Sequence, residues 1–299
     1  MNDFTSLLQQ GNAWLFIPSA ILLGAVVPGI RKETENLAAD LKALSSLRVD
    51  IAAQTGVLEE TAAEARAHGN RVIALLADVS DKAQVQAMIA EAVAQMGAIH
   101  AVVNNAGILT TPVRKTEDGL ETIVSVNYVA PYMLTRQLLP LMQPGCRIVN
   151  TVSCTYAIGR IEPDFFEKGR NGRFFRIPVY SNTKLALLLF TQEFAERLQD
   201  KDITINASDP GIVSTNMITM QAWFDPLTDI LFRPFIKTPA QGAATAIHLA
   251  LSDEAKDRNG CCYANCKKRN VSERIRHHAQ QKQLWDDTEI LLRQKGIRF

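Results

Sequence analysis

Ile99-His100-Ala101-Val102-Val103-Asn104-Asn105-Ala106-Gly107 is a short apolar run that stops at two amides and a glycine. It is too short for an ordinary helix and reads as a buried strand running into a polar turn. Upstream, Lys82 to Gln95 sets Val85, Met88, Ile89, Ala92 and Val93 on one stripe, the spacing of an amphipathic helix. Before it, Arg71 to Val79 predicts a strand that ends at Asp78 and Val79. The alternation continues downstream. A long helix is expected over about Thr116 to Met142, a strand over Cys146 to Ser153 and a helix over Pro178 to Gln199. A strand over Ile203 to Ala207 and a helix over Pro239 to Leu251 follow. Continuous apolar strands separated by helices imply a parallel sheet covered on both faces, an α/β fold. In such sheets ligands bind beyond the carboxyl ends of the strands, and Asp78, Asn104, Ser153 and Asp209 cluster there.

The composition fits one such domain. The chain has 299 residues, 47% hydrophobic and 21% charged, which is ordinary globular usage. Lys+Arg 32 against Asp+Glu 31 leaves a net charge of +1, so no global basic field gathers nucleic acid. Five cysteines, an odd number, argue against a disulfide scaffold and for a reducing, cytoplasmic setting. Cys261, Cys262 and Cys266 lack a second half at zinc spacing and read as buried or idle thiols, so no metal is expected.

The amino terminus breaks the pattern. No charge appears between Asp3 and Arg31, and the run from Ala13 to Val27 is apolar with Pro18 inside it. It is borderline for a bilayer span, and the stretch before it has no Lys or Arg to suit a secretory signal. The plainer reading is a buried strand and turn, with Ala20-Ile21-Leu22-Leu23 suited to the strand. Membrane contact through residues 13–30 is the alternative, and membrane association then replaces a cytoplasmic location. Leu7-Leu8-Gln9-Gln10-Gly11-Asn12-Ala13-Trp14 and Phe16-Ile17-Pro18-Ser19-Ala20, within residues 1–25, resemble the start of bacterial nickel/cobalt efflux permeases. The His-rich features of that family do not follow, so the resemblance implies a fused segment without transport. Residues 1–28 are therefore set apart from a domain covering 29–299.

Chemistry concentrates at spaced positions. Tyr180-Ser181-Asn182-Thr183-Lys184 places Tyr180 and Lys184 one helical turn apart, on one face. A phenol with a pKa near 10 transfers protons poorly at neutral pH. A neighbouring ammonium is expected to favour the phenolate and lower that value, which suits Tyr180 to proton transfer with an alcohol or carbonyl oxygen. Ser153, at a strand end, is expected to hydrogen-bond the same oxygen, with Asn127 on the long helix nearby.

In this order and on these elements, the residues resemble the short-chain dehydrogenase/reductase family from about Gly29 to the C-terminus. The resemblance implies a single-domain, Rossmann-type doubly wound parallel sheet. Asn127, Ser153, Tyr180 and Lys184 are similar to its catalytic tetrad. Asn104-Asn105-Ala106-Gly107 is similar to a motif that supports the central sheet and the cofactor. Asp78-Val79 matches a pair that contacts adenine, and Pro210-Gly211-Ile212-Val213-Ser214-Thr215 a segment that lines the nicotinamide. The implied cofactor-binding set is Gly24, Gly29, Asp78, Val79, Asn105, Ala106, Gly107, Tyr180, Lys184, Pro210, Gly211 and Thr215. The long interval from Ser153 to Tyr180, Thr238-Pro239-Ala240-Gln241-Gly242-Ala243, Gly260-Cys261-Cys262-Tyr263 and Leu284-Trp285 are most similar to the retinol-dehydrogenase-like branch. That branch implies an NAD(P)-dependent oxidoreductase interconverting an alcohol and an aldehyde or ketone, with NADP expected ahead of NAD. Trp223-Phe224, Leu227, Ile230, Leu231, Phe232 and Phe235 fall where the family places a substrate lid, so a small lipophilic substrate is expected. By the same resemblance, a homodimer would form through the helices holding Asn127 and Tyr180.

The glycine-rich loop departs from the family. Gly24-Ala25-Val26-Val27-Pro28-Gly29-Ile30-Arg31 stands where Thr-Gly-x-x-x-Gly-x-Gly is usual. Leu23 replaces the threonine, one extra residue separates the first two glycines, and Arg31 replaces the third. A side chain at Arg31 crowds the approach to a pyrophosphate, and Pro28 removes an amide donor. Gln54, after the expected second strand, selects neither NAD nor NADP. A second reading follows: a catalytically impaired relic with a degraded cofactor loop, membrane-tethered or not.

Overall fold

The computed structural model describes residues 15–16, 59–60, 62–64, 66–67, 72–75, 77, 82–97, 99–109, 115–116, 119–167, 176–213, 237–297 and 299. At its centre is a sheet of strands β1 (Leu15–Phe16), β2 (Ile99–Asn104), β3 (Met142–Thr151), β4 (Ile203–Asp209), β5 (Cys262–Ala264) and β6 (Lys267–Lys268), in that spatial order. All neighbours pair in parallel except β5 and β6, which form an antiparallel edge. Among the described residues the helices around the sheet include α1 (Lys82–Met96), α2 (Thr122–Val124), α3 (Ala130–Leu138), α4 (Arg176–Arg197), α5 (Pro239–Leu251), α6 (Glu273–Arg276) and α7 (Gln281–Gln294).

The apolar strands serve two cores, because successive side chains on a strand point to opposite faces. Val102 and Ile148 join Leu185, Leu188 and Leu189 of α4 on one face. Ala101, Val103 and Val149 join Leu249 and Ala250 of α5 on the other. The continuous apolar run of β2 thus reflects burial on both sides. Pro239 suits the first turn of α5, whose N-cap Thr238 forms a capping box with Gln241.

Several boundaries differ from the sequence reading. The helix expected over Thr116 to Met142 begins at Thr122 and is split by a π-helical turn, Ser125–Val129. It ends in the 3₁₀ turn Leu139–Leu141, because Pro140 cannot continue the ladder, and Met142 already belongs to β3. β3 stops at Thr151, so Ser153 lies beyond the strand, while β4 runs on to Asp209. Residues 72–75 and 77, inside the expected first strand of the alternation, are not strand. The slot beside β2 is taken by the apolar amino-terminal segment, with Leu15 opposite Val102 and Phe16 opposite Val103. The Ala20–Leu23 run proposed for that slot lies outside the described residues. Among the described residues no helix is long and apolar enough to cross a membrane.

Helix α7 lies across α3 and α4. Trp285 sits with its ring centre 5.1 Å from Tyr132 and 5.6 Å from Phe194, and Arg197 stacks over it at 4.2 Å. Glu289 accepts from the Tyr132 hydroxyl at 2.7 Å. The helices named for dimer formation therefore carry an intramolecular partner.

Candidate active site

Three elements deliver the tetrad. The π turn, a local widening that often marks functional positions, carries Asn127 fully buried. Its Oδ1 accepts from the Ile108 amide at 2.7 Å, and its Nδ2 donates to the Ile108 carbonyl at 3.0 Å. Nδ2 also lies 3.3 Å from Thr183 Oγ1, so Asn127 ties the turn after β2 to α4. Lys184, 2% exposed, donates from Nζ to the Thr151 carbonyl at the end of β3 over 2.9 Å. The same ammonium lies 5.5 Å from the centre of the Tyr180 ring. Ser153 caps the 3₁₀ turn Cys154–Ile158, accepting from the Thr155 amide, and lies near enough to Tyr180 to act on its hydroxyl. Asn127, Ser153, Tyr180 and Lys184 are brought together as expected.

The electrostatics differ from the expectation. Burial pushes Tyr180 up to about 12, and the charges of Cys154 and Asp209 add to this, while the Ser153 hydrogen bond opposes it. Burial also brings Lys184 down to about 8, with Asp209 opposing. The expected lowering of Tyr180 by its lysine is thus corrected: desolvation of the phenolate by burial dominates.

The turn after β2 adjoins this group. A Cβ added at Gly107 would sit 3.2 Å from Lys184 Nζ and 3.4 Å from Asn127 Oδ1, so only glycine fits without displacement. Asn105 accepts from Thr151 Oγ1 at 3.2 Å. Beneath, Asn104 donates to Asn150 at 2.7 Å and Asn150 to Thr191 at 2.9 Å, a buried polar ladder joining β2, β3 and α4. Ala106 is buried beside it. Pro210 and Gly211 follow β4, and Gly211 takes a φ of 76°, a left-handed conformation that favours glycine. Gly24, Gly29, Asp78, Val79 and Thr215 lie outside the described residues, as does the lid expected after Thr215.

These residues fit a dinucleotide at its nicotinamide end. A lysine ammonium has three donors, and Lys184 meets one acceptor among the described residues, the Thr151 carbonyl. The remaining donors would suit ribose hydroxyls of such a cofactor.

Three pairings were not read from the sequence, although Asp209 itself was placed among the polar strand ends. Asp209 is 1% exposed, accepts from the Gly211 amide at 3.0 Å and pairs with Arg269 at 2.6 Å. Lys237 donates to the Pro210 carbonyl at 2.8 Å. Arg176 and Glu121 form a buried ion pair at the start of α4. Each joins residues far apart in sequence, and only the position of Asp209 directly before Pro210-Gly211 hinted at one of them.

Comparison with known proteins agrees with this fold. A family model described as short chain dehydrogenase matches residues 34–223. Retinol dehydrogenase 12 of Mus musculus is 35% identical over 276 residues, covering 91% of this chain and 84% of that protein. The Homo sapiens protein of the same name is 34% identical over the same length and the same shares. A blue fluorescent protein from a metagenomic library, solved in complex with NADPH, shares 29% identity and a TM-score of 0.57 over 71% of this chain and 82% of its own. Matched in sequence along nearly its whole length and in structure over most of it, the chain belongs to the short-chain dehydrogenase family, with retinol dehydrogenases among its relatives.

Proposed function

We propose that the chain is an NAD(P)-dependent oxidoreductase that interconverts a lipophilic alcohol with its aldehyde or ketone, using Tyr180 as the general acid/base. The carrying observation is Lys184, bonded to the carboxyl end of β3, with Gly107 and Asn127 beside its ammonium and the Tyr180 ring 5.5 Å from it. The NADPH bound by the metagenomic relative favours NADP, with NAD as the alternative. The relatives' name, retinol dehydrogenase, supports a substrate of retinoid character. The amino-terminal 1–28 segment and the 29–299 domain are proposed as one cytoplasmic chain, with membrane association through residues 13–30 as the alternative.

Asn105, Ala106, Gly107, Pro210 and Gly211 would line the nicotinamide end, and Lys184 would hold the adjoining ribose. When bound, the nicotinamide supplies or accepts the hydride. Tyr180 keeps its proton at neutral pH because burial holds it near 12. It is therefore set as an acid, donating from its hydroxyl to a carbonyl oxygen as that oxygen gains negative charge. Ser153 shares the hydrogen bond and orients that oxygen. The test is NADPH-dependent reduction of a polyene or long-chain aldehyde, followed by loss of reduced-nicotinamide absorbance. Titration of NADPH and NADH against tryptophan fluorescence measures binding separately.

A second reading has its own observation. Leu23, Pro28 and Arg31 alter the glycine-rich loop, which favours an impaired relic whose tetrad outlives its cofactor loop. Absence of dinucleotide quenching at millimolar concentration would select it.

A further inference from the structure

Asp209 is a buried carboxylate that the tetrad does not use. It ends β4, one residue past the point where β4 pairs with the end of β3, Ser208 opposite Thr151. Thr151 is the residue whose carbonyl holds Lys184. On its other side Asp209 pairs with Ala264 of β5. Its two oxygens are divided between tasks: Oδ1 accepts from the Gly211 amide at 3.0 Å, and Oδ2 accepts from Arg269 at 2.6 Å. Asp209 is 1% exposed, whereas the Arg269 side chain is 44% exposed. A buried negative charge is thus balanced by a partner that water reaches.

We propose that Asp209, held by Arg269, is a positioning residue that fixes the Pro210-Gly211 turn and whose buried charge sets the pH range over which Tyr180 and Lys184 work. This inference rests on the proposed role of Tyr180. The charged and titratable groups around Asp209 come from every neighbouring element. Arg269, from beyond β6, pairs with it, and Lys184 and Tyr180 on α4, Tyr156 in the 3₁₀ turn after Ser153 and Cys262 on β5 lie within reach of its charge. Lys237 lies alongside but is bonded to the Pro210 carbonyl and Asn265, and Cys154 acts on Tyr180 directly. Within this set Asp209 favours the ammonium of Lys184 and disfavours the phenolate of Tyr180. Both effects preserve the protonated pair that carbonyl reduction requires.

The test is the alkaline limb of the pH profile of aldehyde reduction by the full chain. Asp209→Asn keeps an acceptor for the Gly211 amide and removes the charge. It should move the limb to lower pH by about one unit, the usual scale for a nearby charge. Arg269→Gln leaves the carboxylate without its counter-charge and should move the limb to higher pH. Asp209→Glu, which keeps the charge, should leave the limb within a few tenths of the parent's position even where kcat falls. A purely structural role would lower the rate at every pH and move the limb in neither direction. An unmoved limb in both Asp209→Asn and Arg269→Gln, or a shift of the same sign in both, overturns the inference. Should Asp209→Asn fail to fold, the sign of the Arg269→Gln shift decides alone, because that residue is partly exposed. If Tyr180→Phe retains full activity, the reading beneath fails instead, whatever these variants show.

Discussion

Lys184 spends a hydrogen bond on the Thr151 carbonyl, 2.9 Å away, and so is fixed to the end of β3 before any ligand arrives. The bond makes the lysine part of the sheet's carboxyl edge. Its ammonium lies 5.5 Å from the centre of the Tyr180 ring. In the proposed mechanism proton transfer falls to Tyr180 and ribose binding to Lys184, one helical turn apart.

From this division, Tyr180→Phe is expected to lower aldehyde reduction by at least about a hundredfold, since general acid catalysis contributes on that scale or more. NADPH binding should change little, because the phenyl ring stays in place. Lys184→Ala should lose both activity and cofactor affinity. Initial rates paired with fluorescence titration separate the two effects, and full activity in Tyr180→Phe would remove the phenol from the mechanism.

Much of this arrangement was legible in the sequence, for a physical reason. Doubly buried strands such as β2 are continuous apolar runs, and Tyr180 and Lys184 share a helix, so local spacing encodes their geometry. The pKa of Tyr180 was not legible, because burial is a property of the assembled site and reverses the expectation drawn from Lys184 alone. The partners Asp209 and Arg269, or Glu121 and Arg176, meet across long sequence separations and leave no local period. The edge strand also escaped detail: Leu15–Phe16 joins the sheet where Ala20–Leu23 was expected, since any apolar stretch of that segment satisfies the same pattern.

The lowered Lys184 predicts a pH-dependent stability. Burial brings it from 10.5 to about 8. Between those values the unfolded chain holds a proton that the folded chain has released, so stability rises with pH across that window. Below about pH 8 the burial penalty is present in full. Cofactor-free Lys184→Met should therefore be the more stable protein at pH 7, on the order of 1–2 kcal/mol after loss of the bond to Thr151. Urea midpoints should show the gap narrowing as pH approaches 10; a gap independent of pH would contradict the assignment.

Arg176 and Glu121 are both almost fully buried, and Glu121 also caps α2 by accepting from the Val124 amide at 3.0 Å. Removing one partner leaves the other's charge buried without compensation, which costs about 3–5 kcal/mol. Arg176→Met should lose stability on that scale, and Arg176→Met with Glu121→Gln distinctly less. Equal losses in the single and double variants would show that packing, not charge, dominates there.

The pairing of β1 with β2 makes the amino-terminal segment part of the sheet. Deleting residues 1–12 should leave the thermal midpoint nearly unchanged. Deletion through Leu23 removes β1 and leaves the edge of β2 unpaired, so it should destabilise the fold or render it insoluble. A chain that remains folded and soluble without residues 1–23 would exclude this segment from the sheet's stability.

The altered glycine-rich loop decides between an active enzyme and a relic. Backbone amides at a helix N-terminus bind pyrophosphate through preorganised donors and the helix dipole. Pro28 has no amide hydrogen, and Arg31 brings a side chain to a position where the family carries glycine. Each lost hydrogen bond to a charged group costs about 1.5–3 kcal/mol, roughly ten- to hundredfold in affinity. The unmodified chain should therefore bind dinucleotides far more weakly than a relative with an intact loop, with NADPH at least equal to NADH. Deleting Pro28 together with Leu23→Thr and Arg31→Gly should tighten NADPH binding and raise aldehyde reduction in parallel. If the parent binds NADPH at low micromolar concentration and the repaired loop adds nothing, Arg31 is itself a phosphate ligand. Its guanidinium has the bidentate geometry for that role, and Arg31→Gly alone should then weaken NADPH binding.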